Sequence, residues 1–157
     1  MVAPTPYVLA NANWLLGELA TCLPEDLCEE VYNALLKALL APNAGDVSWR
    51  PVRVSAAGAL SSLLQDGYKP SEWLPLLQAT VAGARMPEEN EATISLQLLA
   101  TAAEAGEDFV APHVPAITAA VQGEISKHIP PHPEPWPQVR SKGSRCSFLS
   151  IDSLSIS

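Results

Sequence analysis

The sequence predicts an all-α fold, a stack of about three helical hairpins, on three observations. Apolar residues recur at helical spacing in six successive segments. No run alternates apolar and polar residues in the manner of a strand, and no Asn-Gly turn joins two such runs. The segments also pair: pairs begin near Tyr7, Pro51 and Glu88, spacings of about 44 and 37 residues.

The first segment carries Val8, Ala12, Leu15, Leu19 and Cys22 on one helical stripe. The second opens after Pro24, with Glu25, Asp26, Glu29 and Glu30 where carboxylates favour the positive helix end. Its expected inner stripe is Leu27, Val31, Leu35 and Leu39, and Pro42, Asn43 and Gly45 form a loop beyond it. A third helix opens at Pro51, which suits a first turn, and buries Val52, Ala56, Ala59 or Leu60, and Leu63. Asp66-Gly67 ends it.

Ser71 is the expected N-cap of the fourth helix, with Leu74, Leu77 and Val81 inward. The fifth runs from Glu88 to about Ala105 with Ala92, Leu96, Leu99 and Ala103 on its stripe, and Gly106 stops it. The sixth, capped by Asp108, carries Val110, Val114, Ile117, Val121 and Ile125; Pro112 and Pro115 require a late start or a kink. The hairpins thus cover about 7–40, 51–85 and 88–128. Their period is close to that of HEAT and armadillo units, so the expected architecture is an α-solenoid rather than a closed bundle. Most of the 15 prolines fall at helix starts and inter-helix turns, where stacked hairpins tolerate them.

Composition bounds the function. The 157 residues hold nine Lys and Arg against 17 Asp and Glu, a net charge of −8. That balance argues against direct nucleic-acid binding and against an anionic membrane surface. No apolar run reaches the length of a membrane span, so no membrane insertion is expected. The N-terminus lacks a basic segment ahead of its apolar run and is a poor signal peptide. Cys22, Cys28 and Cys146 are odd in number and form no C-x-x-C pair, which fits a reducing compartment.

The chemistry-bearing motifs are few. No nucleophile elbow, phosphate-binding Gly-rich loop, metalloprotease helix or dinucleotide fingerprint occurs, so the chain reads as a non-enzyme without a cofactor. Cys22 and Cys28 have no histidine near them in sequence and read as buried or half-buried small apolar residues. His128 and His132 are four apart, but Pro130, Pro131 and Pro133 forbid the helix that would align them on a metal. His113 reads as a surface or inter-helix residue. Trp14 and Trp73 read as packing residues, Trp49 as a staple ahead of the third helix, and Trp136 as part of a proline-rich connector.

Arg50-Pro-Val-Arg-Val-Ser-Ala-Ala-Gly-Ala-Leu60 resembles the first helix of a HEAT repeat, whose small residues Ala56, Ala57, Gly58 and Ala59 admit a close neighbour. Ahead of it, Asn13-Trp-Leu-Leu-Gly-Glu-Leu19 resembles the Trp-Leu-Leu-Gly helix of importin-β-type (karyopherin-β) nuclear transport receptors. The two motifs, with the pair helix 25–40 between them, stand in that family's order, and the similarity extends over about residues 7–139. The resemblance implies a segment of a longer HEAT superhelix that binds basic cargo or nucleoporins, meets the Ran GTPase through the full-length parent, and works in the cytoplasm, the nucleus and the nuclear pore. The family's N-terminal Ran-binding portion has no counterpart in these residues.

Residues 1–139 are accordingly expected to be repeats, with a charge of −10 from six basic and sixteen acidic residues. Residues 140–157 are Ser-rich and aperiodic, with a charge of +2, and read as a disordered non-repeat tail of a truncated product or an imperfect gene sequence. The candidate cargo-binding surface is acidic: Glu25, Asp26, Glu29 and Glu30 at one helix start, and Glu88, Glu89 and Glu91 at another. The plainer account of these acids is helix-dipole complementation and solubility. The competing function is a generic HEAT or armadillo scaffold in the cytosol.

Overall fold

Six helices follow one another along the chain in the computed structural model, which describes residues 5–40 and 46–128. They are α1 (Pro6–Glu18), α2 (Glu25–Leu39), α3 (Arg50–Gln65), α4 (Leu74–Ala84), α5 (Glu89–Gly106) and α6 (Val114–His128). Short 3-10 turns at Ala20–Cys22, Val47–Trp49, Glu107–Phe109 and Ala111–His113 join them. Every regular element among the described residues is helical, so the all-α expectation holds. The chain divides into a unit of Met1–Ile125 and a second of Ser126–Ser157, and the helix packing lies within the first. The expected tail 140–157, the loop 42–45, Trp136, Cys146, His132 and the side chains of Ile125 and His128 lie outside the described residues.

Helix α3 is the centre of the first unit. It packs on α1, α2 and α5, and α4 packs on α5. Its burial extends almost around the helix: Val52, Arg53, Ala56, Ala57, Ala59, Leu60, Leu63 and Leu64 are all buried. All the core positions expected on this helix are therefore found there. The packing partners also group the helices: α2 lies against α3 and α4 against α5, whereas the expected hairpins 7–40, 51–85 and 88–128 pair α1 with α2, α3 with α4 and α5 with α6.

The punctuation follows local chemistry. Pro51 sits in the first turn of α3, where its missing N–H leaves no intrahelical bond unmade. At the other end Gly67 adopts φ +103°, a conformation that costs glycine little. Gly67 N–H then donates to Leu64 O (3.1 Å) and Tyr68 N–H to Leu63 O (3.2 Å), the paired bonds of a Schellman stop. Pro112 and Pro115 delay α6 to Val114, after two 3-10 turns, as expected.

Several inward faces differ from expectation. Of the expected first stripe, Val8 and Leu15 on α1 and Leu19 and Cys22 just beyond it are exposed, and Asn13 is the buried residue of α1. The reason is the close approach to α3: a Cβ at Gly17 would lie 3.0 Å from Ala59 Cα, so the small and polar side of α1 faces inward. Asn13 Nδ2 donates to Val52 O (3.3 Å) and Ser55 Oγ (3.4 Å) across that contact. Gly58, read from sequence as a close-approach residue, has nothing within 4 Å of a Cβ; Gly17 fills that role.

On α2 the inner stripe is Tyr32, Leu35 and Leu39, with Leu27 exposed and Val31 half-buried. On α5 it is Ala92, Ser95, Leu98 and Ala102, one position off the expected Leu96, Leu99 and Ala103. Ser71 caps nothing. The helix starts at Leu74, because buried Trp73 anchors the entry and Pro75 fixes the first turn. Leu77 is buried as expected, while Leu74 is exposed and Val81 half-buried. Trp73 is the packing residue foreseen, but Trp14 is 59% exposed.

Candidate functional site

The acids of α2 line one side of that helix. Glu25 and Asp26 occupy its first turn, and Glu29 and Glu30 follow one turn later. All four are exposed, and none has a hydrogen bond or ion pair among the described residues. Their charges complement the helix N-terminus and remain available to solvent.

The second acidic group is used differently. Glu88 N-caps α5, accepting a hydrogen bond from Glu91 N–H (2.8 Å), and lies 4.0 Å from Arg50 Nε. Glu91 is no surface charge at all. It is 3% exposed and pairs with Arg53, whose Nε and Nη2 both donate to its carboxylate. Burying that carboxylate is tolerable because the partner cation is buried with it. Glu89 alone of the three is exposed. The structure thus splits the seven expected residues into an open face on α2 and a largely structural cluster between α3 and α5.

Glu25, Glu29 and Tyr32 fall at i, i+4 and i+7, so the acidic face runs directly into a phenol. Tyr32 is 4% exposed, and its ring meets that of Tyr68 with centroids 5.3 Å apart and planes at 43°. Beside them a cavity of about 110 Å³ opens between α2 and the segment leading into α4, and another of about 140 Å³ lies elsewhere, between the end of α2 and helices α4 and α5. The smaller is polar, lined by Glu29, Tyr32, Asn33, Tyr68, Ser71 and Glu72 with Leu36 and Pro75. The Tyr32 hydroxyl is buried without a hydrogen-bond partner.

Burial pushes the Tyr32 phenol up to about 12, with Tyr68 adding to the effect. Burial also raises Tyr68, and the charges of Glu29 and Cys28 raise it further. Both phenols are therefore neutral hydrogen-bonding groups around neutral pH. With two carboxylates and an amide beside them, the pocket can accept several hydrogen bonds from a cationic group.

Tyr32, Tyr68 and Glu72 were not singled out by sequence reasoning. The one signal was indirect: the Asp66-Gly67 stop forces the chain to turn, which brings 68–75 against α2. Cys22, expected to be buried or half-buried, is exposed, while Cys28 is half-buried with Sγ 3.4 Å from Pro24 O. His113 is half-buried in the turn before α6. Among the described residues no three metal-ligating side chains cluster, and no helix is long and apolar enough to cross a membrane. No protein-family model, curated protein or solved structure matches the chain.

Proposed function

We propose that the chain is a HEAT-type α-solenoid segment of an importin-β-like nuclear transport receptor, which binds basic cargo, nucleoporins or both in Ran-dependent transport between cytoplasm and nucleus. The observation that carries the cargo reading is the open face of α2, where Glu25, Asp26, Glu29 and Glu30 are exposed and unpaired among the described residues. The packing supports the solenoid reading. α3 stacks on α1 and α5, and the two motif segments that carry the family resemblance meet in the α1–α3 contact through Asn13, Gly17, Val52 and Ala59.

Exposed charges are screened over about 8 Å at physiological ionic strength, so a partner held by this face leaves as salt rises. Fluorescence anisotropy with a Lys/Arg-rich peptide tests the reading. Affinity is expected to fall steeply with added salt, and to fall again when Glu25, Asp26, Glu29 and Glu30 are changed to their amides. A Phe-Gly repeat peptide tests the nucleoporin half. Binding to neither peptide would overturn the transport reading and leave the generic HEAT or armadillo scaffold.

A further inference from the structure

We propose that the pocket between α2 and the segment entering α4 is a socket for a single arginine side chain of a protein partner. The proposal rests on the reading of the chain as a receptor for basic proteins, and it names the residues that would take one side chain. Glu29 and Glu72 supply carboxylates from two separate segments, and no lining residue carries a positive charge. A carboxylate pair without an internal cation favours a ligand that brings one.

The Tyr32 hydroxyl is the second and independent observation. It is a buried polar atom with no hydrogen-bond partner, on a side chain that forms part of the pocket wall. Buried polar groups are nearly always paired, so this hydroxyl is a bonding position open to a ligand or to a water that a ligand displaces. The tilted ring pair of Tyr32 and Tyr68 offers an aromatic surface beside the carboxylates. A guanidinium suits that combination better than an ammonium, because it is planar, stacks on aromatic rings and projects five donors in a fixed fork.

Size and donor set narrow the choice. A volume of about 110 Å³ has room for a side-chain head group. The carboxylates repel anions. The described residues bring no three metal ligands together, so a divalent cation would be poorly coordinated.

The test is an NMR titration of the full chain with N-acetyl-arginine methylamide, with the neutral isostere N-acetyl-citrulline methylamide alongside. Saturable shifts are expected in residues 29–36 and 68–75 with arginine and not with citrulline. Changing Glu29→Gln and Glu72→Gln together should weaken binding roughly tenfold, about the worth of one charge-assisted hydrogen bond. Glu104→Gln, an exposed change on α5, should leave it unaltered. Circular dichroism confirms that each variant is folded, and a Glu29→Gln single variant stands in if the pair unfolds.

Equal shifts with citrulline, no saturable shift with arginine, or indifference to the glutamine variants would each overturn the socket. The peptide measurement separates this from the functional reading. Salt-sensitive peptide binding without arginine shifts sinks the socket alone, whereas arginine shifts without peptide binding sink the receptor reading alone.

Discussion

Arg53 of α3 and Glu91 of α5 form an ion pair closed off from solvent, their side chains 7% and 4% exposed. The pair ties the two helices together near their N-terminal ends, where Arg50 and Glu88 make a looser contact at 4.0 Å. Neither residue reads as internal from its own helix. Each charge offsets the cost of burying the other.

Removing one partner should therefore cost more than removing both. Glu91→Gln strips the charge that compensates Arg53, and a loss of about 3–5 kcal/mol is expected. Arg53→Met with Glu91→Leu keeps the volume and removes both charges, and should lie closer to the parent. Urea unfolding of the three proteins checks this. A single variant as stable as the parent would mean that water reaches the pair.

Glycines at two positions should respond in opposite directions. Gly17→Ala places a Cβ 3.0 Å from Ala59 Cα and 3.2 Å from its Cβ, where backbone cannot easily yield. A loss of about 1–3 kcal/mol is expected. Gly58→Ala meets nothing within 4 Å inside α3, and the lower backbone entropy of alanine should stabilise by about 0.4–1 kcal/mol. Thermal or urea midpoints of the two variants give the sign directly.

The contrast between those glycines shows which parts of the fold were legible. Turn chemistry is local, so Pro51, Gly67, Pro112 and Pro115 marked boundaries that the structure keeps. Which stripe faces inward is a tertiary matter. In α1, α2 and α5, Ala and Leu are frequent enough to offer several apolar stripes, and the neighbour selects one. Close packing on Ala59 turned the Gly17 and Asn13 side of α1 inward, against its more apolar side. The same limit hid the site. Glu91 looked like its neighbours Glu88 and Glu89 because its cation sits on α3, and Glu72 reaches the acids of α2 only through the turn after Gly67.

The outward turn of α1 leaves Trp14 59% exposed, whereas Trp73, ahead of α4, is 6% exposed. Trp14 should be open to acrylamide and emit at long wavelength, while Trp73 should be shielded. Trp14→Phe is expected to remove a readily quenched, red-shifted component and to blue-shift the remaining emission. An unchanged quenching profile would mean that something covers the α1 face in solution.

Alkaline pH should act through the phenols of the pocket. Tyr32 titrates near 10 when unfolded and at about 12 in the folded chain, so between these values the folded state holds a proton that the unfolded state has released. Unfolding is then favoured by rising pH: the contribution is complete below pH 10 and is lost as pH climbs through about 12. Tyr68, also raised, acts in the same direction. Tyr32→Phe removes the larger effect and the orphan hydroxyl together. Its thermal midpoint should fall less between pH 9 and 12 than that of the parent, and at neutral pH it should be no less stable, because no hydrogen bond is broken. Parallel midpoint curves for the two proteins would show that the Tyr32 hydroxyl is solvated and not buried.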